Sequence, residues 1–125
     1  IEREARRGVA PEYIVLAGFS QGGAIALQTG LRHPRKLAGV MALSTYLPLA
    51  ESLLQEATPA NRTTPIFMAH GTYDPVVPLV MGAGSMTLLT GLGYPVEWRQ
   101  YPMPHSVCPE EIQDIGAWLR RVLNP

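Results

Sequence analysis

The sequence predicts an α/β domain built on a mostly parallel sheet with helices on both faces. Short apolar runs rich in β-formers, lacking the polar alternation of a half-exposed strand, take turns along the chain with helix-patterned segments. Glycine or proline closes most of these segments. With 125 residues, 46% hydrophobic and 16% charged, the chain has the size and composition of one ordinary globular domain.

Residues 13–17 (Tyr-Ile-Val-Leu-Ala) form the first such run, which Gly18 ends, and they read as a strand buried on both faces. Residues 22–32 follow with Ala24, Ile25, Ala26, Leu27 and Leu31, a helix stopped by His33-Pro34 because the residue before proline is biased away from helix. Residues 37–43 give a second strand and residues 65–70 a third, with a short helix at 49–56 in the Pro- and Thr-rich connection between them. Residues 79–92 are compatible with a helix, although Gly82 and Gly84 each cost it about 1 kcal/mol relative to alanine. Residues 96–101 read as a fourth strand, with Val96, Trp98 and Gln100 inward and Glu97 and Arg99 outward. The last helix is the clearest: Pro109-Glu110-Glu111 suits a helix start, and Ile112, Ile115, Trp118, Leu119 and Val122 follow at spacings of three and four. Arg120 and Arg121 then complement the dipole in its final turn. Right-handed crossovers would pack these helices against parallel strands.

Composition excludes several function classes. Ten basic and ten acidic side chains cancel, so no strong field recruits nucleic acid or an anionic membrane. No apolar stretch approaches the roughly 18 residues of a membrane span. Cys108 is the single cysteine, so neither an internal disulfide nor a paired-cysteine zinc site can form, and no metal or cofactor is expected. The N-terminus carries Arg3, Arg6 and Arg7 without the apolar core of a signal peptide, and the expected location is cytoplasmic.

Gly18-Phe19-Ser20-Gln21-Gly22 matches G-x-S-x-G, a pattern short enough to arise by accident. Its setting gives it weight: an apolar strand runs into Gly18 and a helix leaves from Gly22-Gly23, the context of a nucleophile elbow too tight for side chains beside the serine. There the hydroxyl stands above a helix N-terminus that favours developing negative charge. A serine needs a base to take its proton and an acid to orient that base. Of three histidines, His33 reads as a surface residue at a helix end and His70 as structural, since the acid candidate follows it too closely for the two to pair. His105 sits after the last strand and before the last helix, at the carboxyl end of a parallel sheet where ligands bind. Asp74 follows the third strand in Asp74-Pro75, a pair that also simply initiates turns. Ser20, Asp74 and His105 each follow a different strand, in the order Ser, Asp, His of α/β-hydrolases.

At these residues the chain resembles the phospholipase/carboxylesterase family of α/β-hydrolases, which includes bacterial carboxylesterases and acyl-protein thioesterases. Gly18 to Ala24 is similar to its nucleophile segment, His70-Gly71 through Pro78 to its acid loop, and Tyr101 to Val107 to its histidine loop; the likeness runs over residues 13–123. Pro104 stands where many members have glycine, a stiffer approach to His105. The resemblance implies hydrolysis of esters or thioesters with short to medium acyl chains, without cofactor. Val76, and with it Val77, Tyr46 and Leu47, are candidates for an acyl pocket on the carboxyl side.

In this fold the oxyanion hole takes one N–H from the residue after the nucleophile, here Gln21, and another from a loop preceding the nucleophile strand. No His-Gly-Gly or His-Gly-Leu-Gly stretch precedes Ser20. Residues 1–125 are therefore expected to be the C-terminal part of an α/β-hydrolase domain, holding the triad and half the hole. The exposed edge of the first strand would pair with the N-terminal remainder or with a second copy. A catalytically impaired fragment that binds or assembles through that edge is the alternative.

Overall fold

The computed structural model describes residues 1–124. Strands β1 (Val15–Phe19), β2 (Gly39–Leu43), β3 (Ile66–Gly71) and β4 (Val96–Tyr101) lie side by side in chain order, every pair parallel. Helices α1 (Glu2–Arg6), α2 (Gln21–Arg32), α3 (Ala50–Glu56), α4 (Leu79–Gly91) and α5 (Pro109–Leu123) complete the domain. The register pairs Phe19 with Leu43, Leu43 with Ala69 and Gly71 with Tyr101, so the carboxyl ends of the strands open onto one rim.

The continuous apolar runs of β2 and β3 have the expected cause, whereas β1, expected to be buried on both faces, lies at the sheet edge and is only partly buried. Every residue of β2 and β3 is buried, and successive side chains enter opposite cores. Val40, Ala42, Ile66 and Met68 pack with Leu27 and Leu31 of α2, Leu53 of α3 and Leu89 of α4. Met41, Leu43, Phe67 and Ala69 pack with Trp118 of α5, backed by Ile115, Leu119 and Val122. Helices thus cover both faces, and α5 buries its apolar stripe from Ile115 onward, while Ile112 is exposed. Among the described residues no helix is long and apolar enough to cross a membrane.

Several details differ from the sequence reading. β1 is displaced by two residues because Pro11 starts a single 3-10 turn over Pro11–Tyr13, and the chain becomes extended only at Ile14. This shift puts Phe19 at the last position of the strand. His33 is not a surface residue: it is buried, its Nδ1 accepts the Arg35 N–H at 3.1 Å, and its Nε2 lies 3.2 Å from Glu2 Oε1 of α1. Gln100 is exposed rather than inward, and Met81 at the start of α4 is exposed. The connection after α2 is held by buried Asn61, whose Oδ1 accepts the Leu37 N–H at 2.9 Å while its Nδ2 donates to the carbonyls of His33 and Arg35, each at 2.9 Å.

Candidate active site

The chain turns from β1 into α2 at Ser20, which adopts φ 57° and ψ −120°. A non-glycine residue held there is strained and persists only where its surroundings enforce it. Here the Ser20 N–H donates to Leu43 O at 2.8 Å, tying the elbow to the end of β2. A Cβ on Gly18 would overlap the backbone of Gly22 and Gly23, so strand and helix approach closely enough only with glycine at 18. The expectation that Gly22 is required in the same way is not met: a Cβ there meets nothing within 4 Å. The second steric demand falls on Gly23, where a Cβ would lie 2.7 Å from Thr45 Cγ2. Gln21 opens α2, in the first turn, where N–H groups have no intrahelical acceptor.

The acid arrives on the loop after β3. Asp74 is fully buried at its side chain, and its Oδ1 accepts the N–H groups of Val76 and Val77, both at 2.8 Å. This is the turn that Asp-Pro initiates, used here to aim the carboxylate. Oδ2 is left for His105, whose Nδ1–H donates to it at 2.7 Å. Burial alone would push the Asp74 carboxyl up; the His105 hydrogen bond and the Val77 and Val76 N–H groups together outweigh it and hold the pKa below the ordinary aspartate value.

Because Nδ1 carries the proton toward Asp74, Nε2 presents its lone pair, and it lies 2.9 Å from Ser20 Oγ. The histidine loop is fastened to the acid loop: Thr72 N–H donates to Tyr101 O at 2.9 Å and Tyr73 N–H to Met103 O at 3.1 Å. A Cβ on Gly71 would overlap the carbonyl oxygens of Met103 and Pro104, so this close passage of the two loops requires glycine. Pro104 leaves the imidazole within reach of both partners. The Phe19 ring packs on His105 with centroids 4.7 Å apart and planes tilted by 46°.

The structure thus brings Ser20, Asp74 and His105 together at one rim, with Gln21 beside them. Val76 contributes its backbone N–H to Asp74 while its side chain is 64% exposed. Val77 is buried and serves the same carboxylate. Tyr46 and Leu47 line a cavity of about 280 Å3 with Val80, Met81 and Leu88 of α4. Among the described residues no group of three or more His, Cys, Asp or Glu side chains is placed to hold a metal. Sequence reasoning missed Phe19 against the imidazole, a contact that depends on where β1 ends. It also missed the partly buried pair that ties β4 to α5. Tyr101 donates to Asp114 Oδ2 at 2.6 Å and is pushed above its ordinary pKa by burial and by that bond. Glu111, completely buried with neither carboxylate oxygen hydrogen-bonded among the described residues, is raised chiefly by burial and also by Asp114, against an opposing contribution from the Cys108 backbone.

Comparison with known proteins converges on one group. The model of the family described as phospholipase/carboxylesterase matches residues 1–123. The chain is 48% identical to acyl-protein thioesterase 1 of Gibberella zeae over all of its own length and 54% of that protein, and 41% identical to acyl-protein thioesterase 1 of Cryptococcus neoformans over 99% of its length and 58% of that protein. Among solved structures, Arabidopsis thaliana SOBER1 superposes with a TM-score of 0.93 at 32% identity, covering 98% of this chain and 59% of that one. Zea mays acyl-protein thioesterase 2 superposes with a TM-score of 0.79 at 30% identity, covering 86% of this chain and 55% of that one. The chain spans about half the length of the curated relatives it matches.

Proposed function

Because this chain belongs to the phospholipase/carboxylesterase family, we propose that it carries the catalytic residues of a serine hydrolase cleaving carboxylic esters or thioesters with short to medium acyl chains. One observation carries the reading: an uninterrupted relay in which Ser20 Oγ lies 2.9 Å from His105 Nε2 and His105 Nδ1 lies 2.7 Å from Asp74 Oδ2. Ser20 Oγ attacks the carbonyl carbon while His105 Nε2 takes its proton, and buried Asp74 stabilises the imidazolium and keeps the reactive tautomer. The oxyanion of the tetrahedral intermediate is received by the Gln21 N–H at the start of α2, with a second donor supplied in this fold by a loop that precedes the nucleophile strand. Collapse breaks the bond to the leaving oxygen or sulfur, which takes the proton back from His105. A water molecule, deprotonated by the same imidazole, then attacks the acyl carbon; the bond to Ser20 Oγ breaks, His105 returns its proton to that oxygen, and the carboxylic acid leaves. The names of the thioesterase relatives favour a thiol leaving group on an acylated protein.

Labelling with a fluorophosphonate tests the reading without assuming the acyl chain. Covalent modification should map to Ser20 and vanish in Ser20→Ala; modification that continues at the parent rate in that variant rejects it. Comparing kcat/KM for a nitrophenyl ester and for an S-acylated cysteine peptide then separates esterase from thioesterase, and a preference for the oxygen ester rejects the thiol leaving group.

A further inference from the structure

We infer that His70 is a positioning residue for the acid of the triad, an inference that rests on the hydrolase reading of Ser20, Asp74 and His105. An imidazole is expensive to bury without a hydrogen bond, and His70 is completely buried at the end of β3. Its bond goes to the acid loop: Nε2–H donates to Val77 O at 2.7 Å. Val77 is also the residue whose N–H, with that of Val76, holds Asp74 Oδ1. Val77 therefore accepts a hydrogen bond from His70 at its carbonyl while its N–H donates one to the catalytic carboxylate.

The His70 ring cannot swing away from this duty. Trp98 of β4 stacks on it with centroids 6.3 Å apart and planes 24° from parallel. On α4, Gly82 leaves just the room it needs, since a Cβ there would sit 2.5 Å from His70 Nδ1. The same Nε2 stands 3.6 Å from Asp74 Oδ2, beyond hydrogen-bond length but close enough for its N–H dipole to favour the carboxylate. His70 and His105 thus approach one carboxylate from two sides. The fully buried one fixes the loop and the partly buried one receives the aimed oxygen. Side-chain packing alone would be met by any flat ring at position 70; the donated hydrogen bond would not.

The experiment uses the full chain and compares His70→Phe, which keeps a flat ring without the donor, with His70→Gln, which returns an N–H donor near the position of Nε2. Fluorophosphonate labelling rate, kcat and KM on nitrophenyl butyrate are read well below each variant's melting temperature. His70→Phe should lower kcat and the labelling rate by roughly tenfold to a hundredfold, the scale of a misplacement of about 1 Å at a reacting group. KM should stay within about twofold, and His70→Gln should recover most of the loss. Equal impairment of the two variants, or a Phe variant within twofold of the parent, overturns the inference. Should His70→Phe fail to fold, Gly82→Ala decides: it drives a methyl group into the imidazole while leaving every hydrogen-bonding group present. A fall in kcat with KM unchanged supports the inference, and unchanged labelling overturns it. Labelling that survives Ser20→Ala would instead reject the hydrolase reading itself, so the two failures are distinguishable.

Discussion

The two ends of the sheet differ in a way that cavity size would misjudge. At the amino end, the segments leading into β2, β3 and β4 and the last turns of α5 surround a cavity of about 700 Å3, lined by Leu37, Ala38, Pro65, Ile66, Val96 and Trp118. The carboxyl end offers a hollow of about 280 Å3 between the β2–α3 loop and α4. Yet charged groups at the amino end are spent locally: Arg121 pairs with Glu97 at 2.7 Å, and Lys36 reaches the Thr63 hydroxyl at 3.2 Å. At the carboxyl end a buried carboxylate, an imidazole and a hydroxyl from three separate loops are aligned within hydrogen-bond reach. Convergent polar groups, each unaffordable in a core unless partnered, mark the chemical end of this sheet; volume does not.

Removing the nucleophile should break the contrast outright. Ser20→Ala is expected to lower kcat by about 10⁶-fold, the scale for loss of a triad nucleophile in a serine protease. Next comes Asp74→Asn, expected to lower kcat by about 10⁴-fold because the amide favours the wrong histidine tautomer. Steady-state turnover of a nitrophenyl ester checks both, and a fall under tenfold for Asp74→Asn would dismiss it as the orienting acid. Gly71→Ala pushes a methyl group against the Met103 and Pro104 carbonyls. It should displace the histidine loop and reduce kcat about 10²-fold, with labelling of Ser20 slowed in proportion.

How much of this was legible in the sequence depends on whether a residue's role is set by its neighbours in the chain or by those in space. The meeting of Ser20, Asp74 and His105, the proposed triad, was readable because each follows a different strand of a parallel sheet, and strands that end in glycine or turn residues announce themselves. The both-faces burial of β2 and β3 was readable because their runs lack polar alternation. His33 was misread, since its partner Glu2 lies 31 residues earlier in a five-residue helix that has no apolar stripe to reveal it. The steric demand assigned to Gly22 belongs to Gly23, because Thr45 crowds the latter from the loop after β2. His70 looked structural because its spacing to Asp74 forbids a catalytic pair; only the fold shows that its partner is the carbonyl at 77.

A stability effect is confined to the carboxyl end. Glu111 is raised in the folded state, so its ionisation opposes folding. The sign follows directly: the penalty is full above the folded pKa and disappears below the unfolded glutamate value of about 4.3. Glu111→Gln, which keeps the shape but cannot ionise, should therefore stabilise the protein at pH 7, with the gain fading as pH falls toward 4. Asp74 runs the other way. Its lowered folded pKa contributes stability above the unfolded value of about 3.9 that is lost as pH falls through the folded one, so Asp74→Asn should flatten the acid side of the stability curve. Thermal melts across pH read both; a Glu111→Gln gain that persists undiminished at pH 4 would show that its carboxyl is not the source.

The smallest expected effect makes the contrast between the two ends most exposed to refutation. Lys36→Ala and Arg121→Ala alter the rim of the larger cavity, on the side of the sheet away from Ser20, Asp74 and His105. Exposed charges of this kind contribute at most about 1 kcal/mol to stability, and neither group faces the reacting atoms. Turnover should stay within about twofold of the parent for both variants, with Arg121→Ala costing slightly more stability because it removes one of the two arginines that pair with Glu97. A tenfold fall in kcat without a fall in melting temperature would mean that the amino end communicates with the triad through the strands, and volume would regain its claim as a guide.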